Sequence, residues 1–151
     1  MNFNDIDFKK INITKKDNNF HTLTYDNNKF ILKLNNVQVP YGLENEYGKL
    51  TLKLNISDND IIKHIINIEE IIIKKFKLNI KSQLRNNSLL TCRIPTIKNK
   101  IICDIKKNNS YYNIYKLKRN DFIDCLIFID KIWLYNNNYY YKWNFKEILL
   151  S

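Results

Sequence analysis

Lys131, Trp133, Tyr135, Tyr140, Lys142 and Trp143 crowd into one short stretch near the C-terminus, with Tyr139 and Tyr141 among them. Cations interleaved with aromatic rings suit one chemistry above others. Bases of a single nucleic-acid strand stack on the rings, at about 1–3 kcal/mol per base, while ammonium groups follow the phosphates. If the stretch is a strand, Tyr141, Trp143 and Phe145 share a face and are expected in the core. Tyr140 and Lys142 lie on the other face as binding candidates, and Trp133 fits either role. Lys49 and Lys53 share the polar face of an earlier alternating stretch. Arg93, Lys98 and Lys100 belong to a segment, residues 81–120, with ten Lys/Arg and a single acid, Asp104; the rest of the chain has 15 Lys/Arg against 14 Asp/Glu. A polyanion partner selects such a concentration of positive charge, whereas the plain alternative is a solvated Lys-rich loop.

Four residue types, Asn (25), Ile (25), Lys (22) and Tyr (10), fill 82 of 151 positions, and Ala is absent. All four have A/T-rich codons, so part of the net charge of +10 is mutational. A bias acting on the whole gene does not gather charge in one segment, however. Only three Arg are present, which disfavours a duplex reader built on bidentate contacts to guanine. A Lys-based, sequence-tolerant binder needs no Arg.

Other chemistries are poorly served. Two Gly leave no room for a phosphate-cradling loop. His21 and His64 stand at no familiar metal-ligand spacing from Cys92, Cys103 and Cys125. The carboxylates form no recognisable catalytic pair. Neither an enzyme, nor a cofactor, nor a metal site is expected. An odd number of Cys reads as free thiols in a reducing, intracellular compartment. MNFNDIDFKK lacks a signal-peptide core, and no apolar run reaches the roughly 20 residues of a membrane helix.

The elements that must position these side chains follow from periodicity. Residues 1–20 read as a loosely held arm or a first short strand. Phe30–Val39 is β-rich and stops at Pro40. From Lys49 to Ile56 the residues alternate strictly, so Leu50, Leu52, Leu54 and Ile56 face a core and Lys49, Thr51, Lys53 and Asn55 face away. These two strands are expected to pair antiparallel. Ser57-Asp58-Asn59-Asp60 supplies helix caps. Ile61, Ile65, Ile68, Ile72 and Phe76 then recur at helical spacing, predicting one long α-helix near 58–78 that buries Ile61, Ile65, Ile72 and Phe76. Strands return at Leu89–Ile94 and Lys100–Ile105, with Asn108-Asn109-Ser110 as a turn before Tyr111–Leu117. Phe122–Leu134, apolar on both faces, reads as a long central strand. Asn136-Asn137-Asn138 then turns into a closing strand over Tyr139–Leu150. Strands, one helix, then strands predict a single, mainly β domain over 1–151, a β-barrel of OB-like type. Such barrels normally carry their helix between the third and fourth strands and bind oligonucleotides on one strand face.

The stretch LKRNDFIDCLIFIDKIWLYNNNYYYKWNFKEILL resembles the last two barrel strands of phage-type single-stranded-DNA-binding proteins and their relatives in large DNA viruses. Asp121, Ile132-Trp133 and Trp143 are the matching positions, and VPYGLENEYGKLTLKLNI is similar to the early hairpin of the viral relatives. The resemblance covers about 60 residues, roughly 30–56 and 117–150. It implies an OB fold, single-stranded DNA as partner ahead of RNA, replication proteins as further partners, and a setting in host cytoplasm or viral factory. Two features depart from the family: Leu149-Leu150-Ser151 stands where many members carry an acidic tail, and Tyr140-Tyr141 stands where the hairpin before Trp143 has Gly. Two other readings remain: a structural or virion-associated protein whose basic face packs on nucleic acid or an acidic partner, and an OB-like subunit that only mediates protein contacts.

Overall fold

The computed structural model describes residues 1–2, 5–17, 20–77 and 80–151, without the side chains of Asp17 and Asp130. Alternation and turn chemistry explain its fourteen strands. The chain begins with β1 (Ile11–Asp17), β2 (Phe20–Tyr25), β3 (Asn28–Lys29), β4 (Ile31–Val39), β5 (Leu43–Glu46) and β6 (Lys49–Asn55). The helix α1 (Asn59–Phe76) is followed by β7 (Leu84–Arg85), β8 (Leu89–Arg93), β9 (Thr96–Ile97), β10 (Lys100–Ile101), β11 (Asp104–Lys107) and β12 (Ser110–Tyr111). The long strands β13 (Asp121–Tyr135) and β14 (Asn138–Leu150) close the chain.

Five strands pair into a ring in the order β13-β4-β6-β8-β14, and β14 pairs back onto β13. Only the β8–β14 pair is parallel; the other four are antiparallel. The fold is thus mainly β with one α-helix among the described residues, compatible with an OB-like arrangement. The helix position corrects the expectation: α1 lies between the second and third ring strands, not the third and fourth. Leu32, Leu52, Leu54, Leu90, Ile127, Trp143 and Phe145 fill the ring, all fully buried. The contact between β4 and β6 is confined to Gln38 opposite Asn55, because β6 takes β5 as its hairpin partner over most of its length.

The expected arm is largely sheet. β1 pairs with β2, β2 continues onto β13, and Ile11 is buried; residues 3, 4, 18 and 19 lie outside the described residues. α1 starts on Asp58, whose carboxylate accepts from Asp60 N, and ends at Lys77 in left-handed geometry; position 78, the predicted last residue, lies outside the described residues. Ile65, Ile68 and Ile72 are fully buried, but Ile61 and Phe76 are only half-buried and Glu69 is buried. Glu69 goes inward because it has partners there: the Tyr141 hydroxyl donates to its Oε1 at 2.6 Å and Ser82 Oγ at 2.8 Å.

Lys100–Ile105 is not one strand but the ends of two, β10 and β11, and Tyr111–Leu117 gives way to a 3-10 turn at Ile114–Lys116. The two-faced apolar run of β13 has a geometric cause. The register shifts between Ile129 and Ile132, so the inward set changes from odd to even positions. Ile123, Cys125, Ile127, Ile129 and Ile132 are buried, while Phe122 and Leu134 are exposed.

Asn does the work of Gly in the turns. Six two-residue turns hold both residues at positive φ: Asp26-Asn27, Tyr47-Gly48, Asn86-Asn87, Lys98-Asn99, Asn108-Asn109 and Asn136-Asn137. Such pairs match the twist of the flanking strands, and Asn tolerates left-handed φ better than other side chains. The turn before Trp143 therefore needs no Gly.

Candidate nucleic-acid interface

The β13–β14 hairpin builds one end of the site. Trp133 sits opposite Tyr140 in the ladder, and Tyr135 opposite Asn138. The Trp133 and Tyr140 rings stack with centroids 6.0 Å apart and planes 21° apart, and the Tyr135 ring lies 6.4 Å from Tyr140. Tyr135 is 63 % exposed, Trp133 and Tyr140 are half-buried, and Tyr141 and Trp143 beneath them are fully buried. Trp133, which fitted either role in the sequence, therefore belongs to a surface row of rings. Phe20 joins the row from β2: it pairs with Trp133, and the Lys131 ammonium lies 4.8 Å from its ring centre. Sequence reasoning missed Phe20, because only the β2–β13 pairing brings it there.

A basic cleft opens beside the rings. Thr51 stands opposite Arg93, Lys53 opposite Thr91, and Asn144 beside Arg93, so β6, β8 and β14 present one outer face. One part of the cleft, about 200 Å³, is lined by Glu46, Tyr47, Lys49, Thr51, Arg85, Thr91, Arg93 and Lys142. The adjoining part, about 430 Å³, shares Lys49 and Arg93 and adds Lys131, Asn144, Thr96 and Ile97. Lys131 and Lys142 tie cleft to rings, each two residues, or about 7 Å, along its strand from Trp133 or Tyr140.

The cations differ in what they face. Lys53 donates to Glu44 and Glu46 at 3.0 and 3.1 Å. Burial alone would lower its pKa, but the two carboxylates outweigh burial and raise it. Its charge is already balanced by acids of the neighbouring strand β5. Lys142 Nζ donates to Gln83 Oε1 at 3.2 Å. Burial first, and then the Arg93 charge, hold the Lys142 pKa below the usual lysine value. Gln83 is itself held: its carbonyl accepts from Thr91 N, Lys81 N donates to the Tyr139 carbonyl, and Ser82 bonds Glu69 of α1.

Lys98 and Lys100 are exposed on the β9–β10 hairpin, whose Thr96 and Ile97 border the cleft. Lys98 occupies the turn at φ 50°. Arg85 of the 81–120 segment lines the cleft, but two other cations of that segment lie elsewhere. Lys106 and Lys107 pair beside Leu149 and Leu150, nine and ten residues along β14 from Tyr140, or about 30 Å. Arg85 and Tyr47 were also missed from sequence. Tyr47 is fully exposed at the cleft rim and held at φ 52°, a conformation that costs a bulky residue of order 1 kcal/mol. An aromatic residue before Gly in a turn, as in Tyr47-Gly48, was the available signal.

No family model matches the chain, and no curated protein does. Solved structures do. The single-stranded DNA-binding protein of bacteriophage Enc34 in complex with ssDNA matches with a TM-score of 0.53 at 13% identity, over 95% of this chain and 96% of that one. A C-terminal truncation of the same protein gives 0.48 at 12% identity, over 95% and 94% of the two chains. A further structure of it gives 0.44 at 12% identity, over 93% and 89%. At 13% identity the first likeness establishes the fold.

Proposed function

We propose that this chain binds single-stranded DNA with little regard to sequence, as a non-enzymatic protein of phage-like or viral replication, recombination or repair. One observation carries the reading: a row of surface rings, Tyr135, Tyr140 and Trp133, runs into a cleft whose cations are Lys49, Arg85, Arg93, Lys131 and Lys142. Stacking on rings tolerates any base, and cations along a groove follow any backbone. The ring order supports it, since OB-type barrels bind oligonucleotides on the face of their second and third strands and on the flanking loops. The fold is also that of a phage protein solved with ssDNA. The replication setting rests on the resemblance of the C-terminal strands.

Titration with labelled oligo(dT) and with duplex of equal length, each at several salt concentrations, tests the proposal. Five cleft cations, or seven with Lys98 and Lys100 of the adjoining hairpin, predict a single-strand slope of log K against log salt between about −3.5 and −5, at about 0.7 per phosphate contact. Tight oligo(dT) binding with quenched Trp fluorescence and weaker duplex binding is expected. Equal affinity for duplex would favour packing on nucleic acid, and no binding at low salt would favour protein contacts alone.

A further inference from the structure

Arg85, Arg93 and Lys142 converge over a floor made by Thr51 and Thr91, which are only 4% and 5% exposed. Thr51 Oγ1 is buried and has no hydrogen-bond partner among the described residues; leaving such a group unpaired costs about 1–3 kcal/mol. Neither arginine has an ion pair among the described residues, where both ion pairs belong to Lys53. Glu46, the one acid lining this part of the cleft, is engaged by Lys53. Like charges gathered together repel, and here burial first and then the neighbouring arginines depress the Lys142 pKa against the opposing pull of Glu46. An oxyanion relieves all of this at once: it accepts from both guanidinium groups, from the ammonium and from the orphan hydroxyl. The space of about 200 Å³ between these residues accommodates a phosphate group.

We propose that Arg85, Arg93 and Lys142, above Thr51, form a phosphate seat. One phosphodiester group of the bound strand docks in it and fixes the register of the backbone against the Trp133, Tyr140 and Tyr135 rings. This rests on the single-strand reading of the same surface; the shared chemistry, an oxyanion, can also come from free phosphate. Guanidinium forks suit such a seat better than lysines do, and two of the chain's three arginines are here.

The scarcity of Arg supplies the test. Arg85, Arg93 and Arg119 give three Nε–Hε cross-peaks in a ¹⁵N NMR spectrum, assigned with Arg85→Gln and Arg93→Gln. The protein is titrated with dT12, with dT12 made neutral by methylphosphonate linkages, and with inorganic phosphate. The Arg85 and Arg93 peaks are expected to shift with dT12 and with millimolar phosphate, not with the neutral oligomer, while Arg119 stays in place. Each Gln variant should weaken dT12 binding about tenfold and reduce the salt slope by about 0.7. If dT12 quenches Trp fluorescence but the two peaks do not move, the seat is wrong and single-strand binding stands. If dT12 has no effect but phosphate shifts the two peaks, the seat stands and the DNA reading falls. All three peaks moving alike, or none moving with any ligand, overturns the seat.

Discussion

Replacing Tyr140 with Ala separates stacking from charge. In the free protein the ring packs on Trp133 and beside Tyr135, and it lies over a core that Tyr141 and Trp143 fill without it. Losing an aromatic pair costs about 0.5–1.5 kcal/mol beyond its burial. A chain of this size loses about 2–4 °C in Tm per kcal/mol. The variant should therefore still fold, melting about 1–6 °C lower from the lost ring pair. Binding should suffer more. A base that stacks on this ring contributes about 1–3 kcal/mol, so the dissociation constant for oligo(dT) should rise about 5- to 150-fold. No cation is removed, so the salt slope should stay within a few tenths of its original value. Fluorescence anisotropy of labelled dT20 at three salt concentrations measures both quantities, with a thermal melt to confirm folding. Unchanged affinity in a folded variant would refute stacking on Tyr140. A flattened slope with modest loss of affinity would mean that the ring merely holds Lys142 or Lys131 in place.

Four further outcomes are expected. Lys98→Ala with Lys100→Ala should weaken binding alike for all sequences and lower the salt slope by up to about 1.4, measured in the same titration; no change would remove the β9–β10 hairpin from the interface. Glu44→Gln with Glu46→Gln frees the Lys53 ammonium and should tighten oligo(dT) binding several-fold while steepening the slope, whereas unchanged binding would place Lys53 off the strand's path. Tyr141→Phe leaves Glu69 with Ser82 as its side-chain partner and should cost about 1.5–3 kcal/mol in urea unfolding. Burial raises the Tyr141 hydroxyl and the Cys92 and Cys125 thiols, and pushes Cys103 up to about 11. Groups raised on folding stabilise fully below their unfolded pKa and lose that contribution as pH rises. The urea midpoint under reducing conditions should therefore fall from about pH 8.5, through the thiols, and further above about pH 10 through Tyr141. Tyr141→Phe should lack the upper part of that fall.

Local order was legible wherever one face is buried. The Ile spacing of α1 and the alternation of β6 each reflect a single inward face, and so do Tyr141, Trp143 and Phe145 on β14. The two-faced β13 misled in part, because a bulge at residues 130–131 exchanges its inner and outer positions and no periodicity announces a bulge. Helix spacing does not account for the buried Glu69; the Tyr141 hydroxyl, 72 residues away, and Ser82 draw it inward. The rings of the C-terminal hairpin were legible as a cluster, but not their pairing: the turn takes two residues, Asn136-Asn137, rather than the three expected, and so sets Trp133 against Tyr140. Cross-chain partners were not. Phe20 and Arg85 arrive through pairings with distant strands, and Lys53 loses its free charge to Glu44 and Glu46 of β5. Concentrated charge was a true signal of composition but not of one surface, since Lys106 and Lys107 leave with β11 toward the far end of β14.

The central claim is that surface rings and cleft cations together hold a single strand. Intrinsic Trp fluorescence during an oligo(dT) titration, in the native chain and in Trp133→Phe, tests it most directly. Trp143 is fully buried, so the quench should come from Trp133. The native chain should quench on binding and recover as salt rises. The Trp133→Phe variant should bind with little quench, its Phe ring still offering a stacking face. Binding that leaves native fluorescence unchanged, or a quench that survives intact in Trp133→Phe, would contradict the account.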